Sequence, residues 1–197
     1  MILFRPTGLG ELQLVLQRDL AGFPPRLPDQ PIFYPVTTAR YAAQIARDWN
    51  TKSELRAGYV TELAVDDAYV SQFERKIVGS REHEELWVPA EQLEELNRHI
   101  TAPIKVIDAF FGDAFVGLVP KSGAMQGKSA REQLAVLAAL VAAGDDLRAE
   151  VSLNREAVFL HMPYWRQLED APANVLTAAE RAWSATFPRL PLPATAA

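Results

Sequence analysis

The sequence contains no cysteine among its 197 residues. Disulfide bonds, thiolate nucleophiles and cysteine-ligated zinc sites are therefore excluded, and the composition is compatible with a reducing compartment. Only three histidines are present, and they are scattered at positions 83, 99 and 161. Because zinc is usually held by clustered histidine and cysteine ligands, we expect no metal site in this chain.

The sequence also lacks an excess of positive charge and a long apolar run. Its net charge of −5 argues against a general nucleic-acid-binding or anionic membrane surface, although a local basic patch is still compatible with it. The most apolar later segment, residues 134–143, is shorter than the roughly 20 residues that span a bilayer. Residues 1–6 do not have the pattern of a signal peptide. We therefore expect a soluble, cytoplasmic protein with no membrane partner.

The first part of the chain alternates between strand-like and helix-like patterns. Apolar and alternating segments predict strands at residues 2–5, 32–36, 58–65, 86–88 and 104–111. Helical spacing predicts helices at residues 9–20, 39–49, 68–73 and 90–99. Pro6 is expected to end the first strand, and Thr7 with Glu11 has the pattern of a capping box for the first helix.

After residue 113 the pattern becomes mainly helical. Ser129 and Glu132 form a second capping-box pattern, which predicts a helix at residues 130–143 that ends at Gly144. Further helices are predicted at residues 155–168 and 174–185, and Pro163 should kink or break the first of them. Short strands are predicted at residues 114–119 and 150–153.

These elements predict an α+β fold. We expect small mixed or antiparallel sheets in residues 1–113 and a mainly helical extension at residues 114–187, packed on the first part. Residues 188–197, rich in proline and alanine, are expected to form a flexible tail.

Residues 122–129, Ser-Gly-Ala-Met-Gln-Gly-Lys-Ser, nearly match a phosphate-binding loop. Ser122 replaces the first glycine of that pattern, and too little chain follows for the sheet of a nucleotide hydrolase. The segment therefore predicts a capped helix N-terminus, with anion binding left open. The lone His161 is expected to be a packing residue.

Residues 81–89, Arg-Glu-His-Glu-Glu-Leu-Trp-Val-Pro, place three carboxylates and a histidine in front of an apolar strand. Because alternate strand residues share a face, His83 and Glu85 should point to the same side, and Glu82 and Glu84 should point away. Such acids are costly to bury unless they are solvated or used. The alternative is that they form a solvated surface or the first turn of a helix.

Six segments of the first part of the chain together carry a resemblance to known proteins. They are residues 4–9 (FRPTGL), 23–28 (FPPRLP), 30–36 (QPIFYPV), 45–50 (IARDWN), 83–89 (HEELWVP) and 103–107 (PIKVI). In these segments the chain resembles a family of short bacterial proteins that carry the label "ADP-ribosylation/crystallin J1". That label points to helical, metal-binding glycohydrolases, whereas the order of elements here is similar to the ADP-ribosyltransferase fold.

The resemblance to the ADP-ribosyltransferase fold implies a set of site residues. The arginine of its first strand, which contacts NAD, corresponds to Arg5, and the aromatic and hydroxyl residues before its helix correspond to Tyr34, Thr37 and Thr38. The glutamate of its later strand corresponds to Glu85, and His83 stands where that fold usually has Glu or Gln. Arg26, on the proline-rich loop, is a second candidate for a phosphate contact.

Each implied role has an ordinary structural alternative. Arg5 would hold a phosphate through its planar fork, or it would simply extend along an edge strand to reach solvent. Tyr34 would bound the nicotinamide ring. Thr37 and Thr38 would contact ribose or amide groups, or cap the following helix. His83 would orient Glu85 or the acceptor, or carry a proton.

The resemblance implies an NAD-dependent ADP-ribosyltransferase, toxin-like or modifying, with NAD as its substrate. Glu85 would stabilise the oxocarbenium-like transition state by accepting a hydrogen bond from the ribose 2′-hydroxyl. The acceptor would be a protein, a nucleic acid or a small molecule, and an antitoxin-like partner is a further expectation. Two alternatives remain open: a non-catalytic module that binds a nucleotide or protein, and an NAD glycohydrolase that uses water.

Overall fold

The computed structural model describes residues 1–79 and 83–194. Arg81 and Glu82, of which Glu82 was predicted to face away from the site, lie outside the described residues, as do residues 195–197 of the predicted tail. The described strands are β1 (Ile2–Gly8), β2 (Ile32–Phe33), β3 (Ala57–Ala64), β4 (Glu74–Ile77), β5 (Glu84–Pro89) and β6 (Lys105–Phe111).

The described α-helices separate the strands in the first half of the chain and follow one another in the second half. They are α1 (Leu9–Gln17), α2 (Ala39–Asp48), α3 (Asp67–Val70), α4 (Leu93–Arg98), α5 (Ala130–Ala143), α6 (Arg148–Leu153), α7 (Arg155–Gln167) and α8 (Ala173–Thr186). The chain therefore has a mixed α+β fold, as predicted. No helix of the described residues is both long and apolar enough to cross a membrane.

The strands form two small antiparallel sheets. The first has the order β1-β3-β6, and the second has the order β2-β5-β4. Helix α2 packs against the first sheet at Gly58, where an added Cβ would lie 2.1 Å from the carbonyl oxygen of Ala46. Glycine is therefore required at position 58 for this close approach of helix and strand.

One apolar core joins the strands to the C-terminal helices. Tyr59 on β3, Trp165 on α7 and Trp183 on α8 are fully buried in it. The Tyr59 hydroxyl donates a hydrogen bond of 2.9 Å to the carbonyl oxygen of Leu160. The helices after residue 113 thus close one face of the first sheet instead of forming a core of their own.

Two local predictions near the N-terminus are wrong. Strand β1 continues through Pro6 to Gly8, because it is an edge strand and proline can occupy such a strand without breaking a required ladder bond. The residue that precedes α1 is Gly8, which makes no side-chain cap. Glu11 does not bond back to the helix start and instead binds Arg5.

Two predicted strands in or near the helical part are wrong, and Pro163 does not break α7. Residues 150–153 belong to helix α6, residues 114–119 are irregular, and α7 continues through Pro163. Tertiary packing explains the last result, because most of α7 is buried in the common core. Strand β4, which is mostly polar and exposed, was not predicted at all.

The capping box of α5 is confirmed, since Ser129 and Glu132 exchange both expected hydrogen bonds and the helix ends at Gly144. The segment after α8 remains in contact with the rest of the chain up to residue 194. The Ala194 backbone N–H donates to Val106, and the Trp183 indole N–H donates to Leu190.

Candidate functional site

A cleft opens where the two sheets meet. Val36 joins them, since its backbone N–H and C=O both bond Phe4 of β1, at 2.7 and 2.8 Å, and it also forms a bridge with Glu85 of β5. These contacts place the start of β5 beside the middle of β1. Residues predicted from distant parts of the sequence therefore meet at one edge.

The cleft has a volume of about 680 Å³, which is within the range of small-molecule and cofactor sites. Its described polar and aromatic lining consists of Arg5, Glu11, Gln30, Tyr34, Tyr41, Trp49, Asn50, Glu85 and Trp87. Three predicted site residues, Arg5, Tyr34 and Glu85, thus line a single cavity.

Glu85 is held by two side chains of the cleft wall. The Tyr41 hydroxyl donates to Oε1 at 3.1 Å, and the Trp87 indole N–H donates to Oε2 at 3.1 Å. Burial and the neighbouring Glu85 carboxylate raise the pKa of Tyr41 to about 12, so the tyrosine is a donor at neutral pH. An ionised carboxylate has about four acceptor positions, and two of these remain for a ligand.

His83 lies on the same side as Glu85, as strand alternation predicts. Its ring stacks on Tyr41 with a centroid separation of 4.1 Å and an interplanar angle of 10°. Glu84 lies near Arg75 instead, 3.8 Å from its guanidinium. His83 and Glu85 are therefore linked through Tyr41, the residue that both of them contact.

Arg5 is buried at the cleft wall and bound to Glu11. Its Nε and Nη2 donate to Glu11 Oε1 at 3.2 and 3.1 Å, Nη2 also donates to Oε2 at 3.3 Å, and Nη1 donates to the carbonyl oxygen of Tyr34 at 3.2 Å. The guanidinium also lies 4.6 Å from the centroid of the Phe33 ring. Arg5 is thus fixed in position and does not extend freely into solvent.

Arg26 shares the same carboxylate, with its Nη1 3.7 Å from Glu11 Oε1. Its Nε is buried without a hydrogen-bond partner. Burial, followed by the positive charge of Arg5, lowers the pKa of Arg26. The carboxylate of Asp29 also acts on Arg26, and Arg26 is not part of the described lining of the cleft, whereas Arg5 is. The guanidinium of Arg5 can hold an anionic ligand through charge-assisted hydrogen bonds.

The remaining predicted residues have structural contacts. Thr38 is the N-cap of α2 and accepts a 3.3 Å hydrogen bond from the backbone N–H of Tyr41. The backbone N–H of Thr37 donates to the backbone carbonyl oxygen of Glu84 at 3.1 Å. Within the described part of the chain, neither threonine belongs to the lining of the cleft. Tyr34 does line it, with its ring edge-on to Trp87 at 5.7 Å.

The sequence analysis did not assign Glu11, Tyr41 or Trp49 to the site. Tyr41, Ile45 and Trp49 follow the i, i+4, i+8 spacing of one helix face, and all three line the cleft. The adjacent Ala42 and Ala46 are buried against the sheet. The small size of the alanines beside the large side chains was the available signal, because close packing on a sheet favours small residues.

The loop that resembles a phosphate-binding loop is occupied by the protein's own carboxylate. Glu150 accepts hydrogen bonds of 3.0 Å from the backbone N–H groups of Ala124 and Met125. Gly123 has a φ of 76° and faces the same carboxylate closely. The donors that would bind an external phosphate are therefore used to hold α6 against this loop.

His161 belongs to a buried polar network outside the described lining of the cleft. Its Nε2 accepts a 2.9 Å hydrogen bond from Leu118 N–H, and its Nδ1 lies 2.8 Å from Gln133 Oε1. Gln133 donates in turn to the carbonyl oxygens of Leu118 and Lys128. Burial lowers the pKa of His161 to about 3, so it is neutral and acts as a tether.

The described residues contain no cluster of three or more acidic or histidine side chains arranged to hold a metal ion. Comparisons of the chain with protein families, curated proteins and solved structures found no match. The resemblance to ADP-ribosyltransferases therefore stays a prediction, and the chemistry of the cleft has to be argued from its own residues.

Proposed function

We propose that the cleft binds NAD and that the protein transfers ADP-ribose from it to an acceptor. The observation that carries this proposal is the position of Glu85, a carboxylate fixed by Tyr41 and Trp87 in a cavity that also contains Arg5 and Tyr34. A fixed carboxylate beside an arginine suits a dinucleotide, which has a ribose and a diphosphate.

In the proposed reaction the bond between ribose C1′ and the nicotinamide nitrogen breaks, and its electron pair neutralises the pyridinium ring. Positive charge then develops on the ribose. Glu85 accepts a hydrogen bond from the 2′-hydroxyl and stabilises this charge. The acceptor attacks C1′ and loses its proton, for which His83 is the candidate carrier because it stacks on Tyr41 beside Glu85.

The charge pattern of the cleft supports the same ligand. Arg5 and Arg26 share Glu11, and a diphosphate would compete with this internal carboxylate for the guanidinium groups. Arg5 makes four hydrogen bonds to Glu11 and Tyr34, so at least one of its five N–H groups remains for a ligand.

The test is release of nicotinamide from NAD by the wild type, Glu85→Gln and Glu84→Gln. The last variant is a matched control, since Glu84 is the neighbouring acid of the same strand and lies near Arg75. We expect Glu85→Gln to lower kcat by at least about 100-fold, the usual effect of removing an electrostatic group from a transition state. Unchanged turnover in Glu85→Gln would refute the assignment.

A second candidate is a nucleotide-binding module without turnover. It is favoured by one observation, namely that both oxygens of Glu85 and most N–H groups of Arg5 already have partners within the protein. This function predicts that NAD binds to the wild type and that no nicotinamide is released. Release into water without any acceptor would instead indicate NAD glycohydrolysis.

A further inference from the structure

Trp49 differs from the other three tryptophans of the chain. The indole N–H groups of Trp87, Trp165 and Trp183 donate to Glu85, Ala130 and Leu190, respectively. Each of those rings also packs against another aromatic ring. Among the contacts of the described residues, Trp49 has neither a hydrogen bond from its indole nor an aromatic neighbour, and it is 71% exposed.

Trp49 is also placed at the cleft. It follows α2 directly, on the helix face that carries Tyr41 and Ile45, and it lines the same cavity as Glu85 together with the amide of Asn50. An indole that is exposed to water does not contribute the stabilisation that burial of its large apolar surface would give. A flat ring at the mouth of a charged cavity is suited to stack on a planar ring of a ligand.

We infer that Trp49 is a stacking platform for the adenine ring of the ligand. The inference that the ligand has a planar ring joined to an anionic group rests on the proposed function and on two features of the cleft. Arg5 on the cleft wall would bind the phosphates, and Trp49 offers an unoccupied aromatic surface. Trp49 is then a specificity residue that distinguishes a nucleotide from a ribose phosphate without a base.

The test compares two probes that differ only in the base, AMP and ribose 5-phosphate, by titration calorimetry. Wild type should bind AMP more tightly than ribose 5-phosphate. Trp49→Ala should weaken AMP binding about tenfold, the effect of losing one stacked base, and leave ribose 5-phosphate binding unchanged. Trp49→Phe should retain most of the affinity for AMP, because it keeps an aromatic face.

Leu153→Ala is the control for loss of an exposed apolar side chain, since Leu153 is exposed on α6 and does not line the cleft. It should bind both probes as the wild type does. Equal affinity of wild type for the two probes, or unchanged AMP binding by Trp49→Ala, would overturn the inference. So would an equal loss of affinity for both probes in Trp49→Ala.

Kinetics with NAD separate this inference from the proposed function. If the enzyme is active, Trp49→Ala should raise KM and leave kcat almost unchanged, because stacking acts equally on the ground state and the transition state. Selective loss of AMP binding in a protein that never releases nicotinamide would support the platform and refute the activity. Turnover with an unchanged KM in Trp49→Ala would support the activity and refute the stacking role of Trp49.

Discussion

Two polar networks of this protein differ in whether their hydrogen-bonding groups are all satisfied within the protein. In the helical part, His161, Gln133 and the backbone around Leu118 satisfy one another, and both His161 and Gln133 are fully buried. In the cleft, Glu85 and Arg5 are fixed by neighbours but keep unused bonding capacity beside an open cavity. The closed network stabilises the fold, and the open one is available to a ligand.

The closed network should give the largest loss of stability when it is broken. His161→Ala removes a buried ring and leaves Leu118 N–H and Gln133 Oε1 without partners, so we expect a loss of about 3–5 kcal/mol in the free energy of unfolding. Denaturant titration measures it. His99→Ala, at a partly exposed histidine stacked on Tyr69, is the control and should cost about 1 kcal/mol or less.

The same histidine should make stability depend on pH. The unfolded chain binds a proton at His161 below about pH 6.5, whereas burial holds the folded pKa at about 3. Protons therefore favour unfolding. The contribution of neutral His161 to the free energy of unfolding is complete above about pH 6.5. It is lost by up to about 1.4 kcal/mol per pH unit as pH falls toward 3.

The measurement is the difference in unfolding free energy between wild type and His161→Gln from pH 7 to pH 4. The difference isolates His161 from the carboxylates, which titrate in both proteins. It should shrink steadily below pH 6.5. A difference that stays constant with pH would show that His161 is not held neutral.

The open network should lose less stability and change its affinity for anions. Glu11→Gln removes the negative charge between Arg5 and Arg26, and we expect a loss of about 1–3 kcal/mol because the pair is largely but not fully buried. Pyrophosphate should bind several-fold more tightly, because the internal carboxylate no longer competes with it.

Calorimetric titration with pyrophosphate, alongside denaturant unfolding, checks both effects of Glu11→Gln. Glu94→Gln is the matched control, since Glu94 pairs with Arg18 on the surface; it should change stability by less than about 1 kcal/mol. Weaker binding of pyrophosphate to Glu11→Gln would contradict the assignment of an anion site at the two arginines.

Among the variants that alter the two networks, Tyr41→Phe should change stability least. Tyr41→Phe keeps the ring stacked on His83 and removes only the hydroxyl bonded to Glu85. We expect a loss of about 0.5–1.5 kcal/mol in unfolding free energy. Nicotinamide release should fall clearly more than this change in stability suggests, because Glu85 is then held only by Trp87. Equal turnover in the variant and the wild type would show that Tyr41 does not position Glu85.

Local sequence signals predicted the elements that depend on local interactions. The capping box of α5 was found because Ser129 and Glu132 bond within one helical turn. The prediction of a strand at residues 150–153 was wrong, since this segment belongs to helix α6. The Glu150 side chain of this helix binds the distant loop at Ala124, a contact that a short sequence window does not contain. Strand β4 was not predicted because its exposed, charged residues do not alternate between apolar and polar types.

The sequence predicted one part of the site and missed another. Strand alternation placed His83 and Glu85 on one side, and both contact Tyr41. Helical spacing predicted α2 but did not by itself show that Tyr41, Ile45 and Trp49 face a cleft. The role of Glu11 depends on the turn from β1 into α1, which brings it back to Arg5.

The most direct test of the central claim is a thermal-unfolding titration with NAD. A ligand that binds only the folded state stabilises it by about 2.7 kcal/mol at 100 times its Kd. We predict that Tm rises with NAD concentration equally in wild type and His161→Gln, and that Arg5→Ala, measured against its own baseline, shows little or no rise. No rise in wild type, or a full rise in Arg5→Ala, would contradict the account of an open cleft and a closed helical network.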